Sequence, residues 1–158
     1  LQKTCCQSRE IYLTPADRAR IEAHTGRRDF ARFAVAAPEY LEQDDDPEWL
    51  VIFRPDGSRR VLARREDGDC TFLGPTGCGL PLEVRPLICR LYPFDYTAAG
   101  LRDELSEGCP TQLLAPGQRL LRVLDMDRQV AEGWRAQLYA ELALETTDAD
   151  RPDLRPQV

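Results

Sequence analysis

Residues 70–94, CTFLGPTGCGLPLEVRPLICRLYPF, carry Pro75, Pro81, Pro86 and Pro93 together with Gly74, Gly77 and Gly79. Proline fixes φ and removes a backbone donor, and glycine loosens the chain, so neither a long helix nor a central strand runs through such a stretch. The segment must be a series of turns with one or two short helical pieces. Pro86 restrains Arg85 to extended geometry and can itself open a helix through Cys89, which Pro93 ends. Three of the six cysteines, Cys70, Cys78 and Cys89, stand beside these bends. Thiols so placed are bridged, metallated or buried as small hydrophobes, and each outcome implies a different function.

The rest of the chain reads more regularly. In LTPADRARIEAHTG, Thr14 suits an N-cap, Pro15 the first helical position, Asp17 the capping-box acid and Gly26 the C-terminal stop. A second helix is expected over RDFARFAVAA, with Phe30, Phe33 and Ala34 at i, i+3 and i+4, closed by Pro38. EQDDDPEW reads as a solvated acidic turn. In LVIFRPDGSRRVLAR two strand-like runs flank Pro-Asp-Gly, which predicts a β-hairpin or tight turn. After Cys109-Pro110, the spacing of Leu120, Leu121, Leu124, Val130, Trp134, Leu138 and Leu142 predicts one long helix or a bent pair. The expected class is α+β: helices around a short β-hairpin and a cysteine-rich irregular centre. One domain over residues 1–145 is expected, with a polar, proline-bearing tail at 146–158 left disordered.

Charge narrows the function classes. The formal net charge is -6, which lacks the basic footprint of a nucleic-acid binder. Lys3 is the only lysine, so the positive charge is almost all arginine. No apolar run approaches the roughly 20 residues that span a bilayer. LQKTCCQSRE lacks the apolar core of a secretory signal. The chain begins at Leu1 rather than Met, and the expectation is a cytoplasmic protein with some upstream sequence removed.

With His24 the only histidine, a soft-metal site would be built mainly from thiolates, which favour zinc, copper(I) or iron–sulfur clusters. Disulfides are the competing reading, since six is an even count, but adjacent Cys5 and Cys6 form an awkward bridge with each other and nothing marks the chain as secreted. Inert core thiols are the third. His24 itself suits a helix C-terminus. Asp44, Asp45 and Asp46 lack the spaced ligands of a calcium loop.

TCCQSREIYLTPADRARI followed by CTFLGPTGCGLPLEVRPLICRLYPF resembles the YkgJ-like, or CxxCxxCC, family of zinc- or iron-chelating domains. The shared features are a Cys-Cys pair before a Leu-Thr-x-x-Asp helix, Cys-x-Phe-Leu, a cysteine after a short turn, and Arg-Pro-x-x-Cys-Arg-x-x-Pro-Phe. This chain supplies Cys5-Cys6, Cys70, Cys78 and Arg85-Pro86-Leu-Ile-Cys89-Arg90 over about residues 4–110, leaving a helical part at 111–145. The family name implies cysteines ahead of the pair, whereas positions 1–4 are Leu, Gln, Lys and Thr; either one precedes Leu1 or this member uses a smaller ligand set.

The resemblance implies a metal-binding protein holding Zn(II), iron or a [4Fe–4S] cluster, with Cys5, Cys6, Cys70, Cys78, Cys89 and Cys109 as ligand candidates. Adjacent side chains diverge, so one of Cys5 and Cys6 is expected as the primary ligand. Four thiolates leave excess negative charge, and Arg85 and Arg90, flanking Cys89, are the expected cations beside the site; ordinary ion pairs with Glu83 or Asp95 are the alternative. A redox or methyl-transfer enzyme using a cluster, or a partner-binding module with purely structural zinc, are the other functional readings. Some family members sit in flagellin lysine methylases, but no phosphate-cradling glycine loop is present here. No particular protein partner is implied.

Overall fold

The helix expected after Thr14 is present as α1, Pro15–Thr25, in the computed structural model, which describes residues 10–35, 47–54, 56–75, 77–92, 94–105, 115–116 and 126–145. Its ends follow the capping rules. Thr14 Oγ1 accepts from the Asp17 N–H at 2.9 Å, and Asp17 Oδ2 accepts from the Thr14 N–H at 3.1 Å. Gly26 closes the helix at φ 70°, a left-handed conformation that costs glycine nothing, and its N–H donates to Glu22 O at 2.8 Å. Ile21 is fully buried.

Over the described part of RDFARFAVAA, residues 28–35, there is no second helix. Ala31–Val35 is strand β1, paired antiparallel with β2, Ser58–Leu62, from Ala31↔Leu62 to Val35↔Ser58. An i, i+3, i+4 triplet in so short an apolar run fits either period, and the Phe- and Val-bearing segment takes the ladder that β2 offers. The other edge of β2 is also occupied. Leu13 N–H donates to Arg60 O at 3.1 Å and Leu62 N–H to Ile11 O at 2.8 Å. All five β2 residues are therefore buried.

With both edges of β2 taken, the residues before Pro-Asp-Gly cannot pair with it as the expected hairpin partner. Pro47–Ile52 winds instead into a 3₁₀ turn. Ile52 is buried, and Trp49 packs edge-on against Tyr12 and Tyr139, at 5.7 and 6.1 Å between centroids. The tight turn itself is present: Gly57, at φ 82°, donates to Arg54 O at 2.8 Å, and Arg54 N–H to Ser58 O at 2.8 Å.

The architecture is α+β. Two further antiparallel pairs follow: β3, Leu73–Gly74, with β4, Gly77–Cys78, and β5, Phe94–Thr97, with β6, Gly100–Leu105. Between them lies α2, Leu87–Leu91, and the described C-terminal part ends in α3, Arg128–Ala143. α3 buries Ala131, Leu138 and Leu142, while Val130 stands 51% exposed, so the seam runs through Ala131 rather than Val130. The expected acidic turn at 44–46, the leucines at 120–124 and the tail at 146–158 lie outside the described residues.

Two apolar clusters organise the interior. One gathers Tyr12, Ile52, Leu87, Leu91, Phe94 and the buried face of α3. The other gathers Ile11, Leu13, Ile21, Phe30, Leu62, Cys70 and Leu80. Ile88 packs against both, so α2 joins them.

Candidate metal centre

Each cysteine of the 70–89 segment is placed by a different local device. Cys70 returns from the Arg65–Asp69 turn and bridges Arg64, with Arg65 N–H donating to Asp69 O at 2.7 Å. Cys78 pairs with Leu73 in the two-residue ladder of β3 and β4. Cys89 lies in α2, whose N-cap is Pro86. All three stand as thiols. Cys70 belongs to the second apolar cluster, and Cys78 and Cys89 pack against it, so the bends bring the three cysteines to one region of the core. The Phe72 N–H lies 3.5 Å from Cys70 Sγ, the kind of donor that stabilises a thiolate.

Soft, unbridged thiols with a backbone donor fit a thiophilic ion in chemistry. They do not form a complete site by themselves. Among the described residues no three His, Cys, Asp or Glu side chains stand close enough together to hold a metal ion. Cys5, Cys6 and Cys109 lie outside the described residues.

The CxxCxxCC family model, described as "Putative zinc- or iron-chelating domain", matches residues 3–110. The chain belongs to that family. Comparisons with curated proteins and with solved structures find no match. Within this CxxCxxCC domain Leu13 and Thr14 lead into α1, and Arg85 and Pro86 lead into α2, which carries Cys89 and Arg90. The match supports a metal-binding role. α3 lies beyond the matched residues, yet it supplies part of the motif helix's surroundings.

The two arginines beside Cys89 bind backbone. Arg85 Nε donates to Leu80 O at 2.9 Å. Arg90, 7% exposed, donates to Arg85 O at 2.9 Å and Glu83 O at 2.6 Å. Together they tie down the loop between Cys78 and α2. Arg90 meets Glu83 at its backbone oxygen rather than its carboxylate, and the Asp95 carboxylate stands 3.7 Å from Arg102. Burial, with the nearby Arg20 charge, lowers the Arg90 pKa from its ordinary value.

The largest departure from the sequence reading is a set of buried charges between the motif helix and α3. Glu141 accepts from Thr14 Oγ1 at 2.5 Å, from Arg20 in two-pronged fashion at 3.0 and 3.0 Å, and from Gln137 at 2.8 Å. Burial raises its carboxyl, but these donors more than offset that and leave it below its ordinary value. Arg20 also reaches Asp17 Oδ1 at 2.5 Å. Burial drives the Asp17 carboxyl upward, against the pull of the Thr14 N–H and Arg20.

A second set lies nearby. Glu145 accepts from Tyr12 at 2.7 Å and from Arg60 at 2.6 Å, all three nearly inaccessible to water. Burial and then the Glu145 charge push the Tyr12 phenol well above its usual range. Arg59 pairs with Glu10. A buried arginine pair inside a strand carries no local signal, since Ser-Arg-Arg-Val-Leu reads as half-exposed until its partners are known.

Proposed function

We propose that this CxxCxxCC domain holds a zinc or iron ion, or an iron–sulfur cluster, through cysteine thiolates, with Cys70, Cys78 and Cys89 in the ligand set. The observation that carries this reading is three unbridged thiols from three separate bends meeting one apolar cluster within the family-matched residues. In this reading the set is completed from Cys5, Cys6 and Cys109. Arg85 and Arg90 keep the Cys78–Cys89 loop in shape and add positive charge beside excess thiolate charge.

A bound zinc would supply a cross-link between distant segments, and an iron–sulfur cluster would add electron transfer. The residues of this chain contribute thiolate donors, a Phe72 N–H toward Cys70, and a surrounding of Phe72, Leu73, Leu80 and Ile88 that limits water.

Anaerobic purification followed by metal and sulfide analysis tests the proposal. Stoichiometric zinc or iron is expected, falling when Cys70, Cys78 or Cys89 is replaced by serine. Sulfide with a broad absorption near about 400 nm would identify a cluster. Metal-free protein that takes up neither zinc nor iron under reducing conditions would overturn the reading.

A further inference from the structure

We infer that Asp17 is a positioning residue for Cys89, acting by capping the helix that carries it. This rests on the metal-binding reading above. Asp17 is fully buried and spends its two oxygens on two helices. Oδ2 closes the capping box of α1 through the Thr14 N–H. Oδ1 accepts the Leu87 N–H at 3.2 Å, 70 positions away. Leu87 is the first residue of α2, where a helix leaves its N–H groups without internal acceptors. The N-cap of α2 is Pro86, whose side chain has no acceptor, and it makes no cap hydrogen bond. A carboxylate from α1 fills that role instead.

The carboxylate is itself braced. Arg20 also binds Oδ1 and is held in turn by Glu141 of α3, while the Asp17–Leu87 contact is made by Asp17 directly. Leu87 and Leu91, both fully buried against α3, fix the opposite side of α2. Cys89, carried by α2, packs against the cluster that contains Cys70 and that Cys78 also packs against. α2 has only five residues and little helical stability of its own, so its orientation depends on these outside contacts.

The test compares Asp17→Ala and Asp17→Asn with Glu141→Gln, which loosens the brace while keeping Asp17 and its contact to Leu87. Under reducing, metal-free conditions, the readouts are amide exchange across Leu87–Leu91 and alkylation of Cys89 relative to Cys78. Asp17→Ala is expected to speed both by about tenfold. Asp17→Asn, which keeps an oxygen acceptor, should restore part of the protection. Glu141→Gln should not shift the Cys89-to-Cys78 ratio even where it lowers the melting temperature as much.

With Co(II) as the probe, Asp17→Ala should alter the thiolate–cobalt absorption, whereas Glu141→Gln should not. Equal changes in the Asp17 and Glu141 variants at matched stability would overturn the inference. So would rapid exchange of the Leu87 amide in the unaltered protein, which needs no variant to fold. Should the unaltered protein bind no Co(II), the metal reading fails, while exchange and alkylation still decide the role of Asp17.

Discussion

The Tyr12 hydroxyl donates to Glu145 at 2.7 Å, joining two residues 133 positions apart in a site that water barely reaches. Arg60 meets the same oxygen at 2.6 Å. The residue that leads into the motif helix is thus tied to the end of α3, outside the family-matched region. A buried acid and base leave a large penalty when one partner is removed, because the other charge stays behind.

Glu145→Ala is therefore expected to destabilise the protein by about 3–5 kcal/mol, and Tyr12→Phe by about 1–3 kcal/mol, in urea unfolding. A chain ending at residue 127 should lose cooperative unfolding altogether. Retention of a sharp transition by that shortened chain would show that α3 is dispensable to the motif region.

The ends of α1 give a smaller, local prediction. Thr14 caps the helix and donates to Glu141, so Thr14→Ala should cost about 1–3 kcal/mol while Thr14→Ser keeps most of the stability. Gly26→Ala meets no atom within 4 Å, so its cost is conformational alone, about 1–2 kcal/mol for a left-handed residue. Thermal melts of the three variants rank these effects.

Acid should separate Glu141 from the rest of the fold. Its folded pKa lies below the ordinary value of 4.5, so its contribution is complete above that value and disappears as pH falls through the folded one. The stability gap between the unaltered protein and Glu141→Gln should stay constant from neutral pH to about 4.5 and close below it. Asp17 runs the other way. Burial raises its folded pKa above 3.8, so its term favours the folded state most below that value and weakens as pH rises through the raised one. Urea titrations at a series of pH values, with both variants, resolve the two slopes. A gap for Glu141→Gln that widens toward acid would reverse the assignment.

Metal removal should act on the centre of the chain. Ligands drawn from Cys70, Cys78 and Cys89, and from the cysteines before and after them, couple binding to folding. Chelation under reducing conditions is expected to lower the melting temperature and to speed amide exchange across residues 70–91. An unchanged melting curve after complete removal would count against a structural site.

Much of this was legible in residue order because its causes are local. Thr14, Pro15, Asp17 and Gly26 mark a helix by capping chemistry that acts within a turn or two, and α1 has those ends. Pro75, Pro81 and Pro86 with their neighbouring glycines restrict the backbone wherever they occur, so the turns that place Cys70 and Cys78 and the short helix of Cys89 followed from the sequence. The CxxCxxCC membership was legible too, through the resemblance of the Cys5-Cys6 pair and the Arg85-Pro86-Leu-Ile-Cys89-Arg90 motif to that family. Tertiary structure decided the rest. Phe30, Phe33 and Ala34 fit two periods, and the free edge of β2 made the segment a strand. The hairpin expected around Pro-Asp-Gly gave way because Ile11–Leu13 already held the other edge of that strand. Asp17 looked complete as the cap of its own helix, and its second bond, to Leu87, exists only because α1 packs beside α2. Nothing in residue order marks Arg60, Glu141 and Glu145 as buried, since the field that stabilises a buried charge comes from residues far away in sequence.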